Sequence, residues 1–111
     1  MNDFFRIKEL PETEMMAGIR RRAVWTEGAM VTFFCFAPGS VVPEHKHPHE
    51  QITVVTRGTL EFTLDGETRI LCAGDGVRIR SNVLHAARAL EEMAEAFDAW
   101  SPPRDDYKTA G

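Results

Sequence analysis

Residues 60–72 contain the pattern that most restricts the fold of this chain. Positions 60–64 alternate between apolar and polar residues, as in a strand with one face buried and the other in solvent. Asp65 and Gly66 follow at once, and this dipeptide is a strong signal for a tight hairpin turn. Residues 68–72 then return as a second strand. Strands joined by so short a turn pair antiparallel, so the centre of the chain predicts an antiparallel sheet.

Short strand-like runs on both sides extend this pattern. Residues 18–26 and 29–36 are rich in β-branched and aromatic residues, 52–56 is a β-branched run, and 77–80 alternates after a Gly-rich turn. Many short strands at close, regular spacing are typical of an antiparallel sandwich or barrel. We therefore predict an all-β fold.

One segment does not fit the all-β prediction when only its secondary-structure propensity is considered. Residues 86–99 are rich in helix-forming residues, with apolar positions at helical spacing, so by themselves they predict a helix. If they form strands instead, Glu91 and Glu92 become a turn, and Asp98 and Trp100 share one face. The two interpretations place the end of the chain very differently.

The 111 residues are expected to form a single domain, residues 1–111. Residues 1–17 show no sustained hydrophobic periodicity. We interpret them as an N-terminal arm that packs late in folding or against a partner chain. The barrel is expected over residues 18–104, approximately. Pro102 and Pro103 cannot continue a helix or a central strand, so the last regular element ends there.

Composition excludes several classes of function. The net charge of −4 gives no electrostatic case for nucleic acid, and no apolar run is long enough to span a membrane. The N-terminus lacks a basic segment followed by an apolar one, so we expect no secretory signal. Cys35 and Cys72 lie in apolar runs and are interpreted as reduced core thiols, with a disulfide or a Cys–metal site as alternatives. A cytoplasmic location is therefore expected.

Three of the four histidines lie between His45 and His49. Side chains alternate along an extended strand, so His45 and His47 face the same way, and Gln51 can present a carbonyl oxygen from that face. Imidazoles at this spacing can converge on one divalent metal. His85 lies far along the chain and would complete the site if the fold brings it back.

Two neighbours compete with these candidate ligands. Glu50 has the better ligand chemistry, but strict alternation turns it away; Pro48 could break that alternation, so Glu50 and His49 remain rivals. A solvated polar loop without metal is the other alternative. The ligand set does not select among Zn, Ni, Mn, Fe and Co. Three imidazoles and a neutral oxygen leave the ion its full charge, so it would polarise a bound hydroxyl, carboxylate or water.

The chain resembles the cupins. Two motifs carry the resemblance, and they read Gly39-x5-His45-x-His47-x3-Gln51-x6-Gly58 and Gly74-x10-His85. Gln51 stands where the first cupin motif usually has Glu, and Arg80 stands where the second usually has a proline. The resemblance implies a double-stranded β-helix, or jelly roll, whose interior is lined by both motifs. It thereby implies that His85 joins the other ligands.

Two further stretches, residues 47–53 and 97–107, are similar to the pectin-degradation proteins of the KdgF type. Those are metal-dependent enzymes that convert 4,5-unsaturated monouronates, left by pectate and alginate lyases, to their linear ketonised form. Their Asp-x-Phe-x3-Arg triplet matches Asp98, Trp100 and Arg104, with Trp100 in place of the phenylalanine. The resemblance implies a small sugar acid as substrate and favours a homodimer.

The residue types at these three positions are compatible with that chemistry, but each residue also has a structural alternative. Arg104 could clamp a carboxylate, or pair with Asp105 or Asp106. Asp98 could act as acid and base, orient a ligand histidine, or be a surface charge. Trp100 could stack on a sugar ring or be a core aromatic.

Other arginines could bind the carboxylate, and other functions are alternatives to the favoured one. Arg78, Arg80 and Arg88 are rival carboxylate binders, and residues 20–22 are interpreted as a solvated arginine edge. An Fe(II) cupin dioxygenase and a non-enzymatic sugar- or metal-binding module are the alternatives to the favoured enzyme.

Overall fold

The computed structural model describes residues 3–108, and nearly all of the regular secondary structure in this range is β-strand. Its ten strands are β1 (Thr13–Met16), β2 (Ile19–Trp25), β3 (Met30–Phe36), β4 (Val41–His45), β5 (Glu50–Arg57), β6 (Thr59–Leu64), β7 (Glu67–Cys72), β8 (Gly76–Ile79), β9 (His85–Ala89) and β10 (Ala94–Ser101). Two short 3-10 helices cover Ile7–Glu9 and Asp105–Tyr107. None of the helices in residues 3–108 has the length and apolar character needed to cross a membrane.

The strands form two antiparallel sheets. The six-stranded sheet has the order β1-β2-β3-β10-β5-β8, and the four-stranded sheet has the order β4-β9-β6-β7. Strands distant in sequence are neighbours in both sheets, as expected of the predicted jelly roll. The central hairpin is confirmed: β6 pairs with β7 up to Leu64 and Glu67. Asp65 and Gly66 have φ angles of +47° and +84°, the positive values that a tight hairpin turn requires.

Residues 86–99 form strands, and the helix suggested by their propensity is wrong. β9 and β10 are separated by a bend at Glu91 and Glu92, as the strand interpretation required. β10 is a central strand that pairs with β3 on one side and β5 on the other. Its burial alternates strictly, so half of its side chains face the interior. Two-sided pairing and burial therefore outweigh the helix propensity of the local sequence.

The register of the six-stranded sheet divides the interior into an apolar part and a polar part. Ala96 lies between Phe34 and Val55, all three buried in the apolar core. Two residues further along β10, Asp98 lies between the buried residues Thr32 and Thr53. The polar half of the interior is where the candidate ligands lie.

The expected N-terminal arm is partly integrated in the barrel. Its residues Thr13–Met16 pair with β2 as the edge strand of the six-stranded sheet. Phe4, Phe5 and Ile7, by contrast, are 86%, 49% and 47% exposed. Residues 1 and 2 of the arm lie outside the described range.

Two interpretations of side-chain environment need correction. Cys72 is exposed and Cys35 is only half-buried, so they are free thiols but not core residues. The arginine triplet is not a uniformly solvated edge: Arg20 and Arg22 pair with Glu12, whereas Arg21 is buried. Alternation explains this, because only the middle residue of three on β2 turns inward.

Candidate metal centre

The fold brings three histidines together. His45 ends β4, His47 lies in the turn that follows, and His85 begins β9. The pairing of β4 with β9 places His45 directly opposite His85. One ligand atom from each of the three imidazoles lies within 4.8 Å of the others. This group could hold a metal ion, and His85 joins it as the resemblance to the cupins implied.

Backbone carbonyls select the tautomer that each of the three rings adopts when it is neutral. Each Nδ1 lies 2.9 Å from a carbonyl oxygen two residues away, and the pairs are His45 with Pro43, His47 with His49, and His85 with Val83. A carbonyl oxygen can only accept, so each Nδ1 carries the hydrogen and donates it. Each Nε2 in the neutral ring therefore keeps its lone pair, which is the state that a metal-binding imidazole needs.

Gln51 adds a neutral oxygen to the group. Its Nε2 donates to Thr53 Oγ1 at 2.9 Å and to Asp98 Oδ2 at 3.0 Å, which uses both amide hydrogens. Its Oε1 is thereby turned toward His47, 3.0 Å from the Nε2 of that ring. Both of these atoms are acceptors, and two lone pairs at this distance repel unless a cation binds them. The arrangement fits a divalent ion between ligands.

His85 also presents a ring nitrogen that a cation would satisfy. Its Nε2 is buried and has no hydrogen-bond partner in residues 3–108. Burial lowers the pKa of His85 to about 4, and burial also lowers the pKa of His47. Both rings are therefore neutral near pH 7, and an unpaired buried acceptor costs about 1–3 kcal/mol. A metal ion would satisfy it, because neutral imidazoles are the nitrogen ligands that transition metals bind.

Asp98 is a buried carboxyl beside this group. It is 6% exposed, and burial raises its pKa to about 7 although Thr53, Arg104 and Gln51 act in the opposite direction. Oδ2 accepts from Gln51, while Oδ1 has no hydrogen-bond partner among the described residues. A carboxyl with these properties can take up and release a proton near neutral pH.

Trp100 forms a wall of the same interior pocket, together with His45, Gln51, His85, Asp98 and Tyr107. Its indole Nε1 donates to Thr32 Oγ1 at 2.9 Å, and its ring centroid lies 5.2 Å from that of His47. With only 4% of its surface exposed, Trp100 has the packing expected of a core aromatic while it contacts the metal group.

Arg104 lies at the edge of the aromatic wall. Its Cζ is 4.0 Å from the ring centroid of Tyr107 and 5.1 Å from that of Trp100. Its Nε and Nη2 donate to Asp106 at 3.2 and 2.7 Å, so one of the two pairings considered from the sequence is present. The positive charge of Arg104 nevertheless acts on the interior, since it helps to hold down the pKa of Asp98.

The remaining candidates are not members of the group of three histidines. Arg78 and Arg80 are exposed, and Arg88 pairs with Glu61, 3.0 Å away. Glu50 is also exposed, as alternation predicted, and His49 is half-buried with its ring centroid 6.5 Å from that of Trp100.

Two residues near the site were missed from the sequence. The Cζ of buried Arg21 lies 4.2 Å from the ring centroid of Tyr107, which also contacts Arg104. Strand alternation within the arginine triplet could have singled out Arg21, but no local signal indicates Tyr107, which follows the last strand.

Comparisons with known proteins agree with this structure. The model of the family described as "Cupin domain" matches residues 32–100. Over 109 residues the chain is 36% identical to the pectin degradation protein KdgF of Dickeya dadantii (strain 3937), which covers 96% of this chain and 99% of that protein. The structure of KdgF from Halomonas sp. superposes with a TM-score of 0.89 at 35% identity, covering 96% and 98% of the two chains.

A more distant structure shows how widely the fold is shared. The polyketide cyclase RemF from Streptomyces resistomycificus superposes with a TM-score of 0.82 at 16% identity, covering 95% of this chain and 82% of its own. Fold alone does not indicate activity. The matched domain and the resemblance to KdgF over nearly the full length establish that this chain belongs to the cupin family.

Proposed function

We propose that this protein is a metal-dependent enzyme that converts 4,5-unsaturated uronates from pectin or alginate breakdown to their linear ketonised form. The observation that carries the proposal is the placement of the buried Asp98 carboxyl in one pocket with His45 and His85, connected through Gln51 to His47. Similarity to KdgF proteins, named for pectin degradation, supports the choice of substrate.

The metal would be held by His45, His47, His85 and the Oε1 of Gln51. This donor set is compatible with Zn, Ni, Mn, Fe or Co. When bound, the ion supplies a Lewis acid that polarises a substrate oxygen. The protein itself supplies rings already in the metal-binding tautomer and an amide whose orientation is set by two hydrogen bonds.

The reaction is an isomerisation, so every proton that leaves must return. The hemiacetal hydroxyl of the cyclic substrate loses a proton, the bond between the ring oxygen and the hemiacetal carbon breaks, and C4 of the former double bond gains a proton. Asp98 accepts the first proton and delivers the second, because its buried carboxyl is hydrogen-bonded to the proposed ligand Gln51 while Oδ1 has no hydrogen-bond partner among the described residues. Arg104 binds the carboxylate through N–H groups that Asp106 does not use.

A direct assay tests the proposal. Lyase-generated unsaturated galacturonate and guluronate are supplied, and the loss of C4=C5 ultraviolet absorbance is followed with and without chelator. Acceleration that chelator removes is the expected result, whereas the spontaneous rate throughout would refute it. Oxygen consumption with a strict iron requirement would indicate a dioxygenase, and saturable binding without turnover a binding module.

We also propose that the protein acts as a homodimer in the cytoplasm. The outer face of the six-stranded sheet supports the dimer: Phe97 lies between Phe33 and Val54, and the neighbouring Ile52 is 49% exposed. A solvated outer face is expected to be polar, so this apolar row favours packing against a second copy. The free thiols Cys35 and Cys72 support a reducing compartment.

A further inference from the structure

We propose that Asp106 is a positioning residue that holds the guanidinium of Arg104 in the orientation that receives a substrate carboxylate. This inference rests on the proposed function, since it concerns the carboxylate-binding step of the same pocket. It adds a residue that lies outside the motif on which the assignment of Asp98, Trp100 and Arg104 depends.

The contacts of Arg104 fix its guanidinium in two ways. The ring of Tyr107, with Cζ 4.0 Å from its centroid, and that of Trp100, at 5.1 Å, limit tilting of the guanidinium. Asp106 accepts from Nε at 3.2 Å and from Nη2 at 2.7 Å, which stops rotation of the group within its plane. These two bonds use one edge of the fork, so three of its five N–H groups are not taken by Asp106.

The local backbone explains why Asp106 can reach this edge. The 3-10 helix Asp105–Tyr107 begins immediately after Arg104, and the amide of Tyr107 donates to the Arg104 carbonyl at 3.0 Å. This turn brings the side chains of residues 106 and 107 back over residue 104. The Asp106 side chain is 59% exposed while that of Arg104 is 17% exposed, so the carboxylate holds the guanidinium from the solvent side.

Asp106 remains ionised in this role. Partial burial alone would raise its pKa, but the hydrogen bonds and charge of Arg104 outweigh burial, and the pKa of Asp106 is lowered. A free arginine side chain loses rotamer entropy when a ligand fixes it, and holding the side chain in place before the ligand arrives removes that cost from binding. Asp106 therefore strengthens carboxylate binding without contacting the substrate.

Asp105 offers a matched control. It is the adjacent carboxylate on the same helix, its side chain is 93% exposed, and it pairs with Lys108 at 3.1 Å. Asp106→Asn and Asp105→Asn make the same change in net charge, so a diffuse electrostatic effect would appear in both. Asp106→Glu restores the carboxylate, and Arg104→Lys removes the planar fork that Asp106 is proposed to hold.

The experiment has a ligand-free arm and a binding arm, both on the protein with its metal content measured. In the first, the NMR signal of the Arg104 Nε–H, identified by its loss in Arg104→Lys, should be protected from exchange in the wild type. It should lose protection in Asp106→Asn and keep it in Asp105→Asn. In the second, calorimetry compares D-galacturonate with its uncharged methyl ester.

We expect Asp106→Asn to weaken galacturonate binding about tenfold and Asp105→Asn to change it less than about twofold. Ester binding should be unchanged, Asp106→Glu should recover affinity, and Asp106→Asn should add no loss to Arg104→Lys. Unchanged or tighter binding in Asp106→Asn, equal weakening by both Asn variants, or a retained Arg104 signal would overturn the positioning role. Absence of galacturonate binding in the wild type would instead remove the carboxylate role of Arg104 and count against the proposed substrate.

Discussion

The hydrogen bond between Trp100 and Thr32 lies beside the metal site, and its contribution to the stability of the fold can be tested directly. The indole Nε1 donates to Thr32 Oγ1 at 2.9 Å, with Trp100 4% exposed and Thr32 fully buried. Thr32→Val keeps nearly the same shape but removes the acceptor, so a buried N–H is left unpaired. We expect the free energy of unfolding to fall by about 1–3 kcal/mol.

A double-mutant cycle separates this bond from side-chain packing. Trp100→Phe removes the donor and shrinks the ring, and its cost includes the space left beside His47. In the Trp100→Phe background no buried N–H remains, so Thr32→Val should cost almost nothing. The coupling between the two substitutions should therefore be about 1–3 kcal/mol.

Urea unfolding followed by far-ultraviolet circular dichroism measures the cycle, because tryptophan fluorescence changes with the substitution itself. Each variant is measured at one protein concentration and with the metal removed by chelator, so that differences in concentration and metal affinity do not enter the two-state comparison. If Thr32→Val costs the same in both backgrounds, within about 0.5 kcal/mol, the bond does not stabilise the fold as argued.

Three further predictions follow from the site and the surface. His45→Ala combined with His47→Ala should abolish stoichiometric metal measured by atomic emission, and retained metal would show that the ligand assignment is wrong. In chelated protein, protonated Asp98 stabilises the fold fully below its unfolded pKa of 3.8 and loses this contribution as pH rises through about 7. The unfolding free energy of wild type relative to Asp98→Asn should thus fall by roughly 4 kcal/mol from pH 4 to pH 8, and parallel pH profiles would contradict it. Phe33→Glu should yield monomers in light scattering, while Thr68→Glu, at an exposed position on the four-stranded sheet, should not; a monomeric wild type would remove the proposed dimer.

Much of the metal centre could be predicted from the sequence because strand alternation is a local rule. On β5 it turned Glu50 outward and Gln51 inward, and the structure agrees. His45 and His47 reach the same centre for another reason, because the strand expected across residues 45–51 is interrupted: β4 ends at His45, and β5 begins at Glu50 in the other sheet. The return of His85 was predicted only through resemblance to the cupins, since nothing local to residue 85 indicates its pairing with β4.

The environment of the residues after β10 could not be predicted in the same way. Arg104, Asp106 and Tyr107 form their stack because a short helix turns the chain back over the aromatic wall. Arg21 reaches the same ring from β2, more than 80 positions earlier in the chain. Contacts between such distant segments depend on how the sheets close, which no local periodicity records.

The sequence by itself determined the elements whose signals are local: the hairpin around Asp65 and Gly66, and the alternation that turns Gln51 inward and Glu50 outward on β5. Tertiary structure alone decided that residues 86–99 form strands, because pairing on both sides of β10 outweighs helix propensity. It also decided that the pKa of Asp98 is raised to about 7 in the chain without metal. That property comes from burial between two sheets, and a carboxyl in an isolated strand would titrate as it does in water.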